Sequence, residues 1–383
     1  MLKRNLLYLL GALMFILWAG QTVQTQSTPE IPLKKKTCGD LWPVEQHKKW
    51  GYIDKTGRVI IPYKYTYATN FSEGLAGVET KGGKFGYIDK TGKFVIPPRF
   101  YWGDPFSEGL AVAVIRHFDQ KGNITFNKFG YIDRSGKMVI QPQDVVSAKW
   151  LSNFSEGLTC LMQNDKYGFI DKAGRQVIPP RYDEAHLFSE GLAAVVIEGK
   201  FGYIDRSGKM VIPPQFEDVG PFCEGMAHIE SNGKQGYIDK SGKMVINGEE
   251  FVDARGFSEG LAAAKGKNDK YGYIDKTGKF VIQPQFHRVG DFSEGLAPVM
   301  PVKAIWPGDL AYINQKGQIV IKSMSTFPNS SMKAKFDLHD YRFCGGVAWV
   351  SQGKKADEDA TAYINQEGKF VWPEVAPSKK ELR

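Results

Sequence analysis

The sequence has no paired metal-binding histidines, no nucleophile elbow and no phosphate-binding glycine loop. Its six histidines, His47, His117, His186, His228, His287 and His339, are scattered without an H-x-x-x-H pair, which excludes the usual helical zinc site. The one G-x-S-x-G, Gly256 to Gly260, is a copy of the repeated Phe-Ser-Glu-Gly described below, and there is no G-x-x-x-x-G-K-[ST] and no dinucleotide fingerprint, so the commonest hydrolase, nucleotidase and dehydrogenase readings fall away. Cysteine is sparse. Cys38, Cys160, Cys223 and Cys344 contain no C-x-x-C, and no metal or cofactor is expected. An even number of thiols in an oxidising compartment permits two disulfides. Cys223 and Cys344 stand where the repeat described below otherwise has Ser. They read as small buried residues and are not expected to bond each other, being three units apart.

Long apolar runs are also missing, with one exception, Leu6 to Gly20, directly after Lys3 and Arg4. That is the charged and apolar architecture of a secretory signal, too short for a membrane span of about 20 residues. Cleavage after Ala19 or Gly20 would put bulky Leu17 or Trp18 at the minus-three position, so an uncleaved anchor is the second expectation. Residues 1–27 are read as signal peptide or anchor and 28–47 as linker. The chain is expected to be exported: periplasmic, at the cell surface or secreted.

What the sequence has in abundance is self-similarity. Glycine numbers 42 of 383 residues, about 11% against a usual 7% or so, and most glycines recur at fixed places. Tyr-Ile-Asp or a close variant begins at Tyr52, Tyr87, Tyr131, Phe169, Tyr203, Tyr237, Tyr273, Tyr312 and Tyr363. Phe-Ser-Glu-Gly-Leu or a variant begins at Phe71, Phe106, Phe154, Phe188, Phe222, Phe257, Phe292 and Phe343. A fixed period of this kind marks a tandem array in which each unit packs on its neighbours.

One unit can be read from Leu192 to Gly225. Leu192 to Ile197 and Phe201 to Asp205 have strand character around a Glu198-Gly199-Lys200 turn. Asp205 opens and Gly208 ends the next turn, the first by accepting backbone N–H bonds and the second by supplying positive φ. Lys209 to Ile212 is a third strand, expected to stop at Pro213-Pro214. The fold class is therefore all-β: three-stranded antiparallel meanders repeated in an elongated solenoid-like array, with a propeller-like ring as the alternative. The array is placed at 48–322, degenerate capping repeats at 323–373 and a tail at 374–383.

Variation among copies separates turn chemistry from catalysis. The turn acid becomes Asn314 and Asn365, which keeps the acceptor and loses the charge. Gly before the aromatic becomes Ala311 and Ala362, as at a site of close backbone approach. The repeated Glu73, Glu108, Glu156, Glu190, Glu224, Glu259 and Glu294 offer carboxylates of the kind glycoside hydrolysis uses, but Ser-Glu-Gly reads as turn capping. No enzyme is expected.

Trp50-Gly51-Tyr52-Ile53-Asp54 with Gly57, repeated as Phe85-Gly86, Phe129-Gly130, Tyr167-Gly168, Phe201-Gly202 and Tyr271-Gly272, resembles the WG-repeat (KWG-repeat) family; Gln235-Gly236 departs from it. The resemblance covers about residues 48 to 373. It implies a β-rich repeat array in bacterial, often exported proteins, with no agreed activity.

Two surfaces stand out as candidates for partner binding. The D-x-x-G turns carry cations beside the Asp and after the Gly, among them Lys90 and Lys93, Arg134 and Lys137, Arg206 and Lys209; stacked units would align them into a basic ridge suited to acidic polymers. The residue four before the repeat Phe reads Tyr67, Trp102 and Trp150, then Glu184, Asp218 and Asp253, then Arg288 and His339. Three large aromatics at a charge-tolerant position suggest a contact strip for a protein or glycan. The expected function is a non-catalytic binding or scaffolding module for a protein or acidic or glycan polymer of the envelope, with a carbohydrate-binding or carbohydrate-active protein as alternative. Nucleic acid is not expected of an exported chain, and membrane contact only through the N-terminal segment.

Overall fold

Each Tyr-Ile-Asp segment is the central strand of a hairpin, and the local chemistry shows why. Leu192–Ile197 pairs Lys200–Asp205 antiparallel without interruption, from Leu192↔Asp205 to Ile197↔Lys200. Glu198 and Gly199 close that hairpin at φ 51° and 76°, the two positive values that match strand twist. In the next turn the Asp205 carboxylate accepts from the Ser207 and Lys209 backbone N–H groups, at 2.9 and 3.0 Å, and from the Ser207 hydroxyl at 2.6 Å. Gly208 follows at φ 82°, as the turn reading requires. The computed structural model describes residues 40–118, 124–141, 152–301, 309–325, 338–351 and 361–372, all within the unit Ile31–Arg383. The apolar leader, Cys38, Trp150 and the tail lie outside the described residues.

The strand that follows does not stop at the prolines. Met210–Phe216 runs through Pro213-Pro214, with Tyr203↔Ile212 and Phe201↔Phe216 paired across a register shift. The prolines sit in that bulge, where a missing N–H costs no ladder bond. Gly202 lies opposite, and a Cβ there would stand 2.6 Å from Ile212 O and 2.7 Å from Pro214 N. In most units the repeated Gly faces a proline-bearing strand, although Gly236 keeps its place opposite the proline-free Met244–Asn247. Where the outer strand is Ile319–Ser325, without proline, the position is Ala311.

The unit also holds a fourth strand where turn chemistry alone predicts a loop. Glu184–Ala185 pairs Val196 and Val195, so the sheet order is Glu184–Ala185, Leu192–Ile197, Lys200–Asp205, Met210–Phe216. Equivalent two-residue strands occur at Tyr67–Ala68, Trp102–Gly103 and Asp218–Val219. The only helical element among the described residues is the 3-10 turn Leu338–Tyr341. Among the described residues eight sheets carry nine hairpins, because Phe280–Val289 continues from one unit into the next and joins two into a seven-stranded sheet. The outermost strands alternate, with Ile212 and Phe216 buried and Val211 exposed.

The two sequence signatures meet between neighbouring sheets, so that the structural unit is one sheet with its loops and its boundary falls between Phe216 and Asp218, inside the span Leu192 to Gly225. The Tyr ring of one unit packs on the Phe ring of the next with centroids 4.8 to 5.0 Å apart, from Tyr52–Phe71 to Tyr312–Phe343. The Tyr hydroxyl donates to the carbonyl two residues before that Phe, as in Tyr203 to Gly220 at 2.6 Å and Tyr273 to Gly290 at 2.7 Å. The ninth copy reaches the beginning of the array by a different bond: Tyr363 donates to Pro43 O, on the first strand itself, at 3.0 Å. Trp372 Nε1 donates to Tyr63 at 3.0 Å, and Trp42, Val44 and Ile53 form one buried cluster with Val347 and Tyr363. Of the open array and the ring, these contacts select the ring. An open array would leave these apolar faces to water, at a cost of roughly 25 cal/mol per Å². The last repeats thus dock on the first and are not solvent-facing caps. Trp42–Gln46 pairs Lys49–Ile53, so part of the expected 28–47 linker is the first strand of the array.

Candidate functional site

At Tyr67, Trp102, Glu184 and Asp218 the residue four before the repeat Phe begins the short fourth strand, and so occupies one equivalent place in four sheets. Tyr67 pairs Glu79, Trp102 pairs Val114, Glu184 pairs Val196 and Asp218 pairs Glu230. Tyr67 and Trp102 are brought together across a unit boundary, half-buried, with ring centroids 4.9 Å apart at 49°. Two further rings adjoin this pair, Trp50 partly buried and Phe85 fully buried in the core behind it. Trp50 lies 6.1 Å from Tyr67 and Phe85 lies 5.1 Å from Trp102. Both are the aromatic of the aromatic-Gly dipeptide, a signal present in the sequence but assigned there to the repeat alone. Trp102 Nε1 donates to Asp104 at 3.2 Å, which fixes its ring, and burial holds the Asp104 carboxyl above the ordinary range. Trp150 lies outside the described residues.

Farther along, the same place turns acidic. Glu184 is held above the usual glutamate value, first by partial desolvation and then by the charges of Asp183 and Asp218. Asp253 accepts from Tyr271 OH at 2.9 Å. The residues flanking the track are core: Phe100, Tyr182, Phe216, Phe286, Val219 and Val289 are all buried.

The basic ridge is reorganised by the fold. The cation beside the turn Asp reaches back to the preceding unit: Lys172 pairs Glu108 at 3.3 Å, Lys240 pairs Glu190 at 3.1 Å and Lys276 pairs Glu224 at 3.1 Å. Arg134 donates to Glu73 O at 2.7 Å, Lys90 pairs Asp40, and Arg206 Nη2 stands 3.3 Å from where a Cβ on Gly157 would lie. Lys93, Lys137 and Lys209 are exposed and give their backbone N–H groups to the turn aspartates at 3.1, 3.0 and 3.0 Å. At Lys90, Arg134, Lys172, Lys240 and Lys276 one cation of the pair is thus turned to matching the fold's own acids or carbonyls, and a ridge of uniformly outward charge does not form.

Those glutamates cap turns, but not their own. Glu108 Oε1 and Oε2 accept the Glu156 and Gly157 N–H groups of the next unit, both at 2.7 Å. Glu259 does the same to Glu294 and Gly295 at 2.7 and 2.9 Å. The neighbouring serine adds a bond in the same direction, Ser189 Oγ to Phe222 O at 2.8 Å and Ser258 Oγ to Phe292 O at 2.8 Å. A Ser-Glu pair therefore fastens each of these units to its successor. No group of three or more His, Cys, Asp or Glu able to hold a metal occurs among the described residues. Burial pushes the Cys160 thiol up to about 12, which makes it a poor nucleophile.

A family model described as a WG containing repeat matches residues 50–85, 85–116, 129–143, 167–201, 201–234, 236–271 and 271–300. No curated protein matches the sequence. Among solved structures the chain is similar to BamB from Moraxella catarrhalis, at 9% identity and TM-score 0.37, over 68% of this chain and 91% of that one. It is similar to Kluyveromyces lactis Hsv2 at 10% identity and TM-score 0.38, over 66% and 94%. A third likeness is to the extracellular domain of the putative one component system BT4673 from B. thetaiotaomicron, at 12% identity and TM-score 0.32, over 85% and 57%.

Proposed function

Because the chain belongs to the WG-containing repeat family, we propose that it is a non-catalytic binding or scaffolding module, exported to the envelope or beyond, which engages its partner along the aromatic track. The observation that carries this reading is the Tyr67–Trp102 pair, 4.9 Å between centroids, only partly buried and backed by the core. The same place bears Glu184 and Asp218 in other units, so the fold does not demand an aromatic there. Partly exposed, laterally packed rings lose little entropy on contact and serve well as anchors. The track passes from rings to Glu184, Asp218 and Asp253, a sequence of chemistries that suits a protein with an apolar element followed by a basic one. A non-catalytic role accords with glutamates such as Glu108, engaged by two backbone N–H groups and Lys172. Export rests on Lys3, Arg4 and the Leu6 to Gly20 run.

The test is capture of an envelope partner by the full chain, followed by titration of the purified partner against Trp102→Ala. Loss of about 30-fold in affinity is expected for an anchor worth about 2 kcal/mol; unchanged affinity would remove the track from the interface. The alternative, glycan recognition by the same rings, ranks second because a 49° tilt gives no common flat platform for successive sugars. Quenching of tryptophan fluorescence by an oligosaccharide, abolished in Trp102→Ala, would reverse that ranking.

A further inference from the structure

The Ser-Glu fasteners run in one direction along the chain, and the first repeat turn stands at the start of that series. In seven of the eight turns that begin at a repeat Phe, the turn glycine donates its N–H to a glutamate of the preceding unit, from Gly109 on Glu73 at 2.9 Å to Gly346 on Glu294 at 2.9 Å. The eighth is Phe71-Ser72-Glu73-Gly74. Its backbone has the receiving shape, with φ 51° at Glu73 and 81° at Gly74 against 56° and 85° at Glu108 and Gly109. Among the described residues, however, neither N–H group has an acceptor, and Phe71 O has no hydroxyl of the kind that Ser72 gives Phe106 O at 2.6 Å. The Glu73 carboxylate does not serve its own turn, because it accepts from Glu108 and Gly109 at 2.5 and 2.9 Å.

The sequence accounts for the difference. The strand Trp42–Gln46 of the preceding unit follows Thr37-Cys38-Gly39-Asp40-Leu41, which contains no Ser-Glu. Asp40, the one carboxylate in that stretch, is exposed and pairs Lys90. Lys90 follows the turn acid Asp89 as Lys172 follows Asp171 and Lys276 follows Asp275. Those later lysines share a carboxylate with the turn amides: Glu108 takes Lys172 Nζ at 3.3 Å and the Glu156 and Gly157 N–H groups at 2.7 Å, and Glu224 takes Lys276 Nζ at 3.1 Å and the Gly260 N–H at 3.2 Å. Arg134 adds positive charge beside the first turn, donating to Glu73 O at 2.7 Å. Successive turn amides of this shape form a concavity for an anion, and the later units show which anion the concavity fits. A second copy of the chain has no such segment to lend, since all six of its Ser-Glu pairs are engaged by their own successors.

We propose that the first turn, comprising Phe71 O, the Glu73 and Gly74 N–H groups and Lys90 Nζ, is a binding site for an acidic peptide of another protein, whose Ser-Glu or Thr-Glu segment takes the fastener's place in trans. The peptide hydroxyl donates to Phe71 O, its carboxylate accepts the two amides, and Lys90 exchanges Asp40 for that carboxylate. Charge-assisted bonds to a preformed turn supply the affinity. The site uses none of the rings of the aromatic track, so it stands or falls separately from the reading above.

The probe is the acetylated and amidated peptide Gly-Phe-Ser-Glu-Gly-Leu, the chain's own repeat, titrated into the isotope-labelled full chain and followed by amide NMR. Saturable shifts at Glu73 and Gly74 are expected, with Gly109 and Gly157 unmoved; no shift, or shifts spread over all the turns, overturns the proposal. A peptide with Gln in place of Glu should bind about 10-fold more weakly, and one with Ala in place of Ser about 3-fold; equal binding by the Gln peptide overturns it. On the protein, Lys90→Ala should weaken binding by about 2- to 5-fold and Asp40→Ala, which removes an exposed competitor for Lys90, should tighten it. Both side chains are exposed, so the melting curves should match the parent's. Weaker binding in Asp40→Ala would contradict the exchange. Tighter binding of inorganic phosphate than of the peptide would assign the turn to phosphoryl anions instead and overturn the peptide reading.

Discussion

Tyr203 and Phe222 lie nineteen residues apart in sequence and in different units, yet their rings meet edge-on with centroids 4.9 Å apart at 63°. The two repeated signatures are thus the two halves of one contact, and the hydroxyl of Tyr203 adds a bond to Gly220 O at 2.6 Å. Phe222→Ala should destabilise the protein by about 3–5 kcal/mol, as loss of a buried ring does. Tyr203→Phe should cost only about 1 kcal/mol, because Phe169 already fills this place naturally beside Phe188. Denaturant unfolding of both variants checks the order; equal costs would mean that the hydroxyl and not the ring dominates.

The Gly-Pro correspondence gives a second expectation. Gly202→Ala would put a Cβ 2.6 Å from Ile212 O, a backbone clash no rotamer relieves, and should cost more than about 2 kcal/mol. Ala311→Gly, at the proline-free counterpart, should cost no more than about 1 kcal/mol. A melting curve unchanged in Gly202→Ala would show that the bulge can open.

Much of this was legible in the sequence. The strands, the Asp205 to Gly208 turn and the burial of the Tyr and Phe signatures follow from period and turn chemistry, since those act within a few residues. Prolines that pass through a strand were not legible, because the bulge that accommodates Pro213-Pro214 depends on Gly202 across the ladder. Ring closure was not legible either. Its contacts, Tyr363 with Pro43 and Trp372 with Tyr63, join the chain's extremes, and the local units are compatible with either geometry. Of the candidate surfaces, the aromatic place was readable from the run Tyr67, Trp102 and Trp150. The pairing of the ridge cations was hidden, because Lys172 finds Glu108 only across a unit boundary.

That boundary pairing predicts the effect of removing a fastener. Glu108→Ala leaves the Glu156 and Gly157 N–H groups without their acceptor and should cost about 1–3 kcal/mol. Glu108→Gln keeps one acceptor oxygen and should cost less. Chemical denaturation measures both, and an Ala variant as stable as the parent would show these bonds to be dispensable.

Acid should weaken the array through its turns. The Ser207 hydroxyl bond, then the backbone N–H groups of Lys209 and Ser207, hold the Asp205 carboxyl below the ordinary value; a hydroxyl likewise leads at Asp54, Asp89, Asp133, Asp239 and Asp275. A carboxyl depressed in the folded state adds stability above its unfolded value of about 3.9, and that stability is lost as pH falls through the folded value. Tm should therefore hold from pH 7 to about 5 and decline below about 4. Asp205→Asn, which imitates Asn314 and Asn365, should make the decline shallower; an unaltered slope would assign acid sensitivity elsewhere.

The central claim is that the aromatic track, and not the basic turns, carries partner affinity. The measurement is a salt titration of partner binding from about 50 to 500 mM, a range over which the Debye length falls well below 10 Å or so, for three forms of the full chain. These are the parent, Tyr67→Ala with Trp102→Ala, and Lys93→Ala with Lys137→Ala and Lys209→Ala. The account predicts near salt-independence in the parent, loss of at least about 30-fold in the aromatic variant, and little change in the lysine variant. Steep salt dependence, with affinity lost in the lysine variant and kept in the aromatic one, would contradict it.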